Sequence, residues 1–431
     1  MNTAKPNILV IGGGAGGLEL VARLGRKYGK TGKANVTLID KSPIHIWKPR
    51  LHELAVGVLN SDIDGILYRE HARKNGYHYE RGELSGLNRQ EKTITLDPVA
   101  NDDGEVLLDQ RQFQYDILVL AIGSLTHDFN TPGAKAHCFF LDNIQSAEKF
   151  QKKLLEQFIK LNEADSPLRI TMIGAGATGV ELAAELHHVA DTLSEYGFKH
   201  VCAEKLKTRV VEAGPQILPA VPEKVAKKAA SELERLGVEI LTNTRVTEVT
   251  EQGIQTSAGE LLESDLVVWA AGVKAPDFLT TLDGLQSNGR NQLLITDTLM
   301  TTEDENIFAI GDCAGLELGE NQWVPPRAQS AHQMADTAFK NIQAILEGKA
   351  LVAFEYKDHG SLVSLAKYSA IGSLMGGLSK KSWFIEGQMA LAMYRLLYRA
   401  HLMAIHGAKR GWVYILADRI GKLSRPKIKL H

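Results

Sequence analysis

The sequence predicts an α/β protein built around two parallel sheets, and three observations support this prediction. An apolar strand that runs into a glycine-rich turn and then a helical pattern occurs twice, within residues 6–24 and 169–189. Other short runs have the composition of buried parallel strands; they include NVTLID, LVLAIG and LVVWAAG. From residue 346 onward the pattern changes to amphipathic and basic segments, which indicate a third part.

The bulk composition limits the classes of protein that fit. The 431 residues suffice for roughly two to four domains, and 39 glycines with 44% hydrophobic residues suit a loop-rich globular protein. Three widely spaced cysteines predict no disulfide framework, dithiol motif or metal knuckle. We expect no metal and no nucleic-acid partner. Four histidines are expected at the surface or an interface; they are His187, His188, His401 and His406.

The first glycine-rich turn has the spacing of a dinucleotide cradle. Gly12, Gly14 and Gly17 follow the first apolar strand, and Asp40 ends the second. The first glycine permits a tight turn, the second lets the backbone approach a pyrophosphate, and the third lets helix and strand pack closely. The pyrophosphate would lie on the helix N-terminus, and the acid would hold a ribose hydroxyl. We predict a first dinucleotide at these residues.

The second glycine-rich turn repeats this pattern with one difference. Gly174, Gly176 and Gly179 again separate a strand from a helix, and Glu212 ends a later strand. The acid follows the turn at a longer distance than usual, which predicts an extended helical stretch between them. An acid at this position favours NADH, because it would repel the 2′-phosphate of NADPH.

Two cradles in one chain predict two dinucleotides, usually a flavin in the first and a nicotinamide in the second. Two further strands end in small residues that let the backbone pass close to a ligand, Ala121 and Gly123 on the FAD side and Gly272 on the NADH side. Asp312 follows another strand, in IFAIGDCAG. This acid is expected to bind the flavin's ribityl chain or to lie near its pyrophosphate; the alternative is an ordinary helix cap.

Together these features resemble the flavoprotein family with two dinucleotide-binding domains. Two short words make the chain similar to the type II NADH:quinone oxidoreductases in particular. AQSAHQ matches the AQxxxQ word of that family, and GVELAAEL places Glu181 where the family brings nicotinamide and flavin together. The blocks HIWKPRLHELAVG, VPPRAQSAHQMA and YKDHGSLVSLAKYSAIGSLMG resemble the proteobacterial branch, except that Arg50 stands where an apolar residue is expected.

The resemblance implies a Rossmann-type flavoenzyme with non-covalent FAD, NADH as substrate and a membrane quinone (ubiquinone or menaquinone) as acceptor. It implies electron input to a respiratory chain without proton pumping. It also implies that Glu181 orients the nicotinamide or relays protons; the alternative is a first-turn acid stabilised by the helix dipole. Lys367 would lie beside the flavin's pyrimidine end, or else be a solvated lysine.

Gln329 and Gln333 stand four residues apart, so a helix would present both on one face. The resemblance implies that this face lies beside the flavin on the quinone side. Neutral amide donors suit the two uncharged carbonyl acceptors of a quinone in a mostly apolar slot. The alternative is a wetted helix face.

The C-terminal part predicts an attachment to a membrane surface. Residues 380–431 carry 11 Lys and Arg against 2 Asp and Glu. The segments 386–410 and 411–420 alternate apolar residues with charges and are too short to span a bilayer. They favour an interfacial helix pair on anionic lipid, extended by further basic residues, Lys422, Arg425, Lys427 and Lys429. A core helix with a basic tail is the alternative. We expect a peripheral, monotopic protein on the cytoplasmic face of the inner membrane.

The expected architecture is therefore two Rossmann-type dinucleotide-binding domains with a C-terminal membrane-anchoring domain. The FAD-binding domain is predicted at 1–125 and 286–345, the NADH-binding domain at 126–285, and the anchoring domain at 346–431. A homodimer is expected from the resemblance. Two other functions fit the cradles: a flavin reductase with a soluble protein acceptor, and a non-enzymatic NADH sensor. The glutamine pair and the basic tail favour the quinone enzyme.

Overall fold

The computed structural model describes residues 5–101, 103–163, 166–202, 204–319, 322–375, 382–421 and 423–429. The helices of these residues are Ala15–Leu24, Leu51–Ala55, Ser61–Asp64, Tyr68–Asn75, Ala134–His137, Ile144–Glu163, Ala177–Glu195, Glu223–Arg235, Ala328–Glu347, Gly387–His406 and Ala408–Gly421. Shorter or irregular helical turns are Gly25–Gly29, Lys48–Arg50, Asp277–Thr281 and Gly311–Cys313.

The first sheet holds the first glycine-rich turn. Its six strands lie in the order Met300–Thr301, Asp304–Ala309, Ile117–Leu120, Asn7–Ile11, Asn35–Asp40 and His78–Arg81. Neighbouring strands are parallel except for the pair at the Met300 edge. The strand Ile117–Leu120 is buried at every position, as its continuous apolar sequence predicts for a parallel sheet covered on both faces.

The second sheet holds the second glycine-rich turn. Its five strands lie in the order Cys138–Phe140, Leu266–Trp269, Leu168–Ile173, Leu206–Val211 and Glu239–Leu241. All of these pairs are parallel. The predicted extension between turn and acid is the long helix Ala177–Glu195, which we call the second-cradle helix. The fold is thus α/β with two Rossmann-type sheets, as predicted.

Smaller sheets, all antiparallel except one, complete the two halves and the C-terminal part. The three-stranded ones are Leu84–Asn88 with Thr93–Leu96 and Arg111–Gln114, Val246–Thr250 with Gly253–Thr256 and Leu261–Glu263, and Gly360–Leu365 with Ser369–Met375 and Ser382–Glu386. The two-stranded pairs are Ile44–His45 with Ile66–Leu67, Val99–Ala100 with Val106–Leu108, Leu125–Thr126 with Val273–Lys274, Leu293–Leu294 with Ala314–Gly315 (parallel), and Glu317–Gly319 with Gln322–Trp323.

The chain crosses between the two halves at one small ribbon. Leu125–Thr126 leaves the first half and pairs antiparallel with Val273–Lys274, which returns to it. Directly after the return, Leu279 and Leu285 pack into the core of the first half. The chain therefore re-enters the first half before residue 286, earlier than predicted, because these apolar side chains are buried there. The other domain boundaries stay predictions.

The C-terminal part contacts both halves. Val363 and Leu365, in its three-stranded sheet, belong to the core of the second half. Leu402 and Ile405, on the helix Gly387–His406, belong to the core of the first. Within the described ranges, no helix is both long enough and apolar enough to cross a membrane.

Candidate functional site

The first cradle has the geometry that its glycine spacing predicts. Gly12 adopts a φ of +98°, which an L side chain rarely tolerates. A Cβ there would overlap the carbonyl of Ala121, and a Cβ at Gly17 would overlap the carbonyl of Gly12. Gly14, by contrast, faces open space, with no atom within 4 Å of the Cβ position. The turn is closed on the protein side and open at the helix N-terminus, where a pyrophosphate would bind.

The second cradle reproduces the first residue by residue. Gly174 has a φ of +100°, and a Cβ there would overlap Ala271 at the end of the neighbouring strand. A Cβ at Gly179 would overlap the carbonyl of Gly174, while Gly176 faces open space. Gly272 follows Ala271 with a φ of +69° and packs against a phenylalanine ring. Two separate sequence segments thus form the same turn, which is open at the helix N-terminus.

In each cradle, the acid at the end of the following strand accepts a hydrogen bond from the glycine-rich turn. Asp40 Oδ2 accepts a hydrogen bond from the N–H of Gly13 at 2.6 Å. Glu212 Oε2 accepts the equivalent bond from the N–H of Ala175 at 2.9 Å. Burial raises the pKa of Asp40, and the backbone N–H bonds oppose this shift. Both acids therefore shape the turn, in addition to the ribose contact predicted for them.

The predicted FAD side contains a hydrogen-bonded triad at the carboxyl edge of the first sheet. Ser124 donates through Oγ to Asp312 Oδ2 at 2.7 Å, and Lys48 Nζ donates to the carbonyl of Ser124 at 2.7 Å. Gly123, directly before Ser124, has a φ of +82° and faces open space. Asp312 lies in a short helical turn and does not cap a long helix. Its carboxylate is held at the edge where a flavin chain would pass.

Glu181 lies in the protein interior, and its surroundings differ from those of a first-turn carboxylate stabilised by the helix dipole. The second-cradle helix begins at Ala177, so Glu181 lies beyond the first turn and is only 5% exposed. Its Oε1 accepts a hydrogen bond from the N–H of Ser364 at 3.0 Å, and its Oε2 is 3.4 Å from His52 Nδ1. Burial raises the pKa of Glu181 well above its usual value. Burial also lowers the pKa of His52 to about 4. Both shifts favour a neutral Glu181 carboxyl beside a neutral His52 ring over a dipole-stabilised carboxylate.

Arg50, which departs from the resemblance, has a partner that explains its position. Its Nε and Nη2 donate to the two carboxylate oxygens of Glu53 at 2.8 and 2.5 Å. Its guanidinium also stacks on the ring of Tyr398, 4.5 Å from the centroid. A bidentate pair of this kind is geometrically specific, so this nearly buried arginine is accommodated by its own helical turn and by the C-terminal helix.

Sequence reasoning missed two groups beside Glu181. Glu185 lies one turn further along the same helix and is 6% exposed. Burial, with the nearby Glu53 carboxylate, raises the pKa of Glu185 to about 8. Tyr394, on the C-terminal helix, faces Glu181 with its hydroxyl. The two acids of GVELAAEL stand at i and i+4, which was a usable signal. No local pattern indicated the tyrosine.

A second missed feature is a buried histidine pair under the first cradle. His45 Nδ1 is 2.9 Å from the carbonyl of Gly13, and His45 Nε2 is 2.9 Å from His401 Nε2. The carbonyl can only accept, so His45 carries its proton on Nδ1 and accepts at Nε2 from the Nε2–H of His401. Trp47 stacks on the His401 ring. The C-terminal helix is thereby hydrogen-bonded to the cradle backbone.

The surface or interfacial position expected for the four histidines is wrong for three of them. His187 is 1% exposed and donates to or accepts from Thr208 Oγ1 at 2.6 Å, and His401 and His406 are 7% and 5% exposed. His188 is partly buried. These rings are buried because helices pack over them, which the local sequence does not reveal.

The two glutamines lie on one helix face, as predicted, and both are already hydrogen-bonded. The helix Ala328–Glu347 begins directly after the proline pair. Gln333 donates to the carbonyl of Lys357 at 2.8 Å and accepts from its N–H at 2.9 Å. Gln329 donates to the carbonyl of Gly360 at 3.1 Å and accepts from the N–H of His359 at 3.0 Å. The amides hold segment 357–360, and their contact with a quinone stays a prediction.

The structure places Lys367 beside the second-cradle helix. This residue lies in the turn between two strands of the C-terminal sheet, and its Nζ pairs with Asp191 at 3.3 Å. Asp191 follows Glu181 by ten positions on the second-cradle helix, roughly 15 Å at 1.5 Å per residue. Lys367 also acts electrostatically on Glu185, and the flavin contact predicted for it stays a prediction.

The last basic residues bind the protein's own acids. Their ion pairs are Arg425–Asp64 at 3.4 Å, Lys427–Glu195 at 3.1 Å and Lys429–Asp62 at 3.8 Å. The N–H of Lys429 also donates to the carbonyl of Gly57 at 2.8 Å, and Ile428 is buried in the second core. Acids of both halves therefore lie within reach of the last basic residues, and the lipid contact predicted for this stretch stays a prediction. Lys380, Lys381 and Lys422 lie outside the described residues.

The last helix presents an apolar stripe to solvent. Trp412, Val413, Leu416 and Ile420 are each 60% to 67% exposed. They recur at the spacing of one helical face. Leu396 and Leu397, on the preceding helix, are also about half exposed. Exposed apolar side chains at this density mark an interaction surface.

Comparisons with known proteins agree with the predicted family and fold. The model of the pyridine nucleotide-disulphide oxidoreductase family matches residues 6–335. A type II NADH:quinone oxidoreductase of Haemophilus influenzae is 42% identical, over 99% of this chain and 100% of that protein. One of Staphylococcus aureus is 30% identical, over 89% of this chain and 93% of that protein.

Solved structures share the fold at lower identity. NDH2 from Plasmodium falciparum, solved in complex with NADH, has a TM-score of 0.80 at 20% identity, over 99% of this chain and 100% of that one. A sulfide:quinone oxidoreductase from Aquifex aeolicus has a TM-score of 0.73 at 16% identity, over 94% and 92%. Both likenesses bear on the fold alone.

Proposed function

We propose a function for this chain from the premise that it belongs to the type II NADH:quinone oxidoreductases of the pyridine nucleotide-disulphide oxidoreductase family. In this proposal it oxidises NADH and reduces a membrane quinone. The observation that carries the proposal is the pair of matching cradles. Each one closes on the protein side and opens at a helix N-terminus, over Gly14 and Gly176. FAD, when bound, accepts a hydride from NADH and returns two electrons to a quinone.

We assign FAD to the first cradle and NADH to the second. Gly12, Gly14, Gly17 and Asp40 would hold the FAD pyrophosphate and ribose, and the Asp312 triad would hold its ribityl chain. In the second cradle, Glu212 selects NADH, because its carboxylate occupies the place of a 2′-phosphate. All three cysteines are free and widely separated in sequence, which supports quinone reduction over disulfide chemistry.

Glu181 is the proton donor of this proposal inside the site. Burial raises the pKa of its carboxyl, which favours the neutral form, and the Ser364 N–H donates to Oε1. A neutral acid near the reacting rings can give a proton to a developing quinol anion without creating a buried charge pair. His52, held neutral beside Glu181, can accept the same proton.

The glutamine pair would orient the quinone. A quinone carbonyl can accept from Gln329 or Gln333 in place of a main-chain carbonyl of segment 357–360. Residues 357–359 of that segment lie outside helices and strands, which suits such an exchange. A soluble protein acceptor remains the rival function, and the exposed apolar stripe argues against it.

The membrane would be contacted by the stripe Trp412, Val413, Leu416 and Ile420. Arg395, Lys409 and Arg419, exposed on the same pair of helices, would meet anionic headgroups around it. An interfacial position lets a lipid quinone enter the protein from the bilayer. We assign this surface to the cytoplasmic face of the inner membrane, and we extend the proposal to a homodimer.

Anaerobic stopped-flow mixing tests the function. NADH should bleach the flavin absorbance of the FAD-loaded protein, and a short-chain quinone should restore it. NADPH, run in parallel, should bleach it far more slowly. Bleaching without quinone-driven recovery would favour a protein acceptor, and no bleaching would leave only the sensor.

A further inference from the structure

A row of titratable side chains follows the second-cradle helix from the interior to the surface. Glu181 and Glu185 are 5% and 6% exposed, His188 is partly buried, and the Asp191 side chain is 42% exposed. The first three are spaced at i, i+4 and i+7, so they share one helix face. Burial decreases steadily toward the end where Asp191 pairs with Lys367.

Several polar atoms beside this row lack a partner. Glu185 Oε2, His188 Nδ1 and His52 Nε2 are inaccessible to solvent and find no hydrogen bond within the described part of the chain. Buried polar atoms nearly always have a partner in protein or ordered water. Three orphaned atoms on and beside this row therefore indicate a place for bridging water or for a transferable proton.

The proposed reaction needs such a proton. Oxidation of NADH by a quinone follows NADH + H⁺ + Q → NAD⁺ + QH₂. The hydride carries both electrons and one hydrogen nucleus, so the second proton of the quinol comes from solvent. Glu181 can donate a proton only if it is then refilled, and its burial separates it from bulk water. This inference rests on the proposed function.

We propose that Glu185 and His188 carry this solvent proton along the second-cradle helix, from the surface near Asp191 to Glu181. After Glu181 has donated to the quinol, Glu185 gives its proton to Glu181 and is left as a carboxylate. His188 Nδ1 then takes up a proton from a bridging water and gives it to Glu185 Oε2, which makes Glu185 neutral again. Each group returns to its starting state once per turnover, and no electron moves along the row.

The charges around Glu185 suit this role. The titratable groups that face it come from every element packed on it; they are Glu181, Arg50, Glu53, Lys367, Tyr368 and Tyr394. Burial and Glu53 raise the pKa of Glu185 to about 8, near a neutral working pH. A proton carrier works best when its pKa is close to that pH. Burial lowers the pKa of His188, which keeps its ring a neutral acceptor.

The first test replaces the carboxyl with an amide of the same shape. In the Glu185→Gln holoenzyme, NADH should bleach the flavin at the wild-type rate, while quinone-driven recovery should slow by about a hundredfold, as positioned proton transfer predicts. Infrared titration supplies a readout that does not depend on turnover. A protonated-carboxyl C=O band that disappears near pH 8 should be present in wild type and absent from Glu185→Gln. Glu156→Gln, an exposed helix position in the same half, is the matched control and should change neither.

The second test removes the imidazole ring of His188. His188→Ala should also slow the recovery step, and added imidazole should restore it, which a purely structural role would not allow. Recovery at the wild-type rate in Glu185→Gln, or slow recovery in His188→Ala that imidazole does not restore, would overturn the inference. A wild-type protein that NADH bleaches but quinone does not reoxidise would instead overturn the proposed function, and the inference with it.

Discussion

The histidine pair under the first cradle supports a quantitative prediction about stability. In His401→Phe the ring that stacks on Trp47 is kept, and only the N–H that reaches His45 is removed. His45 is 4% exposed, so its Nε2 would be left buried without a donor. An unsatisfied buried polar group costs about 1–3 kcal/mol. We expect the free energy of unfolding to fall by that amount at pH 7.

Urea unfolding of the FAD-loaded protein, followed by flavin fluorescence and by circular dichroism, measures this change. His200→Phe, at an exposed position, is the matched control and should change stability by less than about 0.5 kcal/mol. The flavin signal should be lost at lower urea in His401→Phe, because His45 also holds the carbonyl of Gly13. A His401→Phe protein as stable as the control would refute the hydrogen-bond assignment.

Three further predictions concern specificity, pH and the C-terminus. Glu212→Gln should reduce the preference for NADH over NADPH, measured as the ratio of the two kcat/KM values; an unchanged ratio would mean that Glu212 only shapes the turn. The folded-state pKa of His45 is lowered to about 4, against about 6.5 when unfolded. The unfolded chain therefore binds more protons, and this group's contribution to stability is lost as pH falls from about 6.5 to 4. The free energy of unfolding should therefore fall less between pH 7 and pH 5 in His45→Gln than in the wild type. An equal fall in both proteins, measured by urea unfolding at the two pH values, would contradict the assignment. Ile428→Ala should destabilise by about 1.5–3 kcal/mol through lost burial, whereas Lys427→Ala should cost under about 1 kcal/mol, as an exposed ion pair does; the reverse order in thermal melts would show that charge, not burial, holds the C-terminus.

The features that the sequence predicted correctly are those that depend on neighbours in the chain. Each cradle is a strand, a turn and a helix in succession, and the left-handed φ at Gly12 and Gly174 is demanded within the turn itself. The helix that begins after Pro325 and Pro326, with its glutamines on one face, is local in the same way. Such features are encoded within about twenty residues, so spacing alone reveals them.

The tertiary structure decided the features that join distant segments. The raised pKa of Glu181 depends on burial under a hairpin and a helix that follow it by more than a hundred residues in the chain. The histidine pair joins His45 to His401, and the basic C-terminus meets acids of both halves. Ionisation and partner choice depend on what packs nearby and how far water is excluded, and a pattern of spacing carries no information about either.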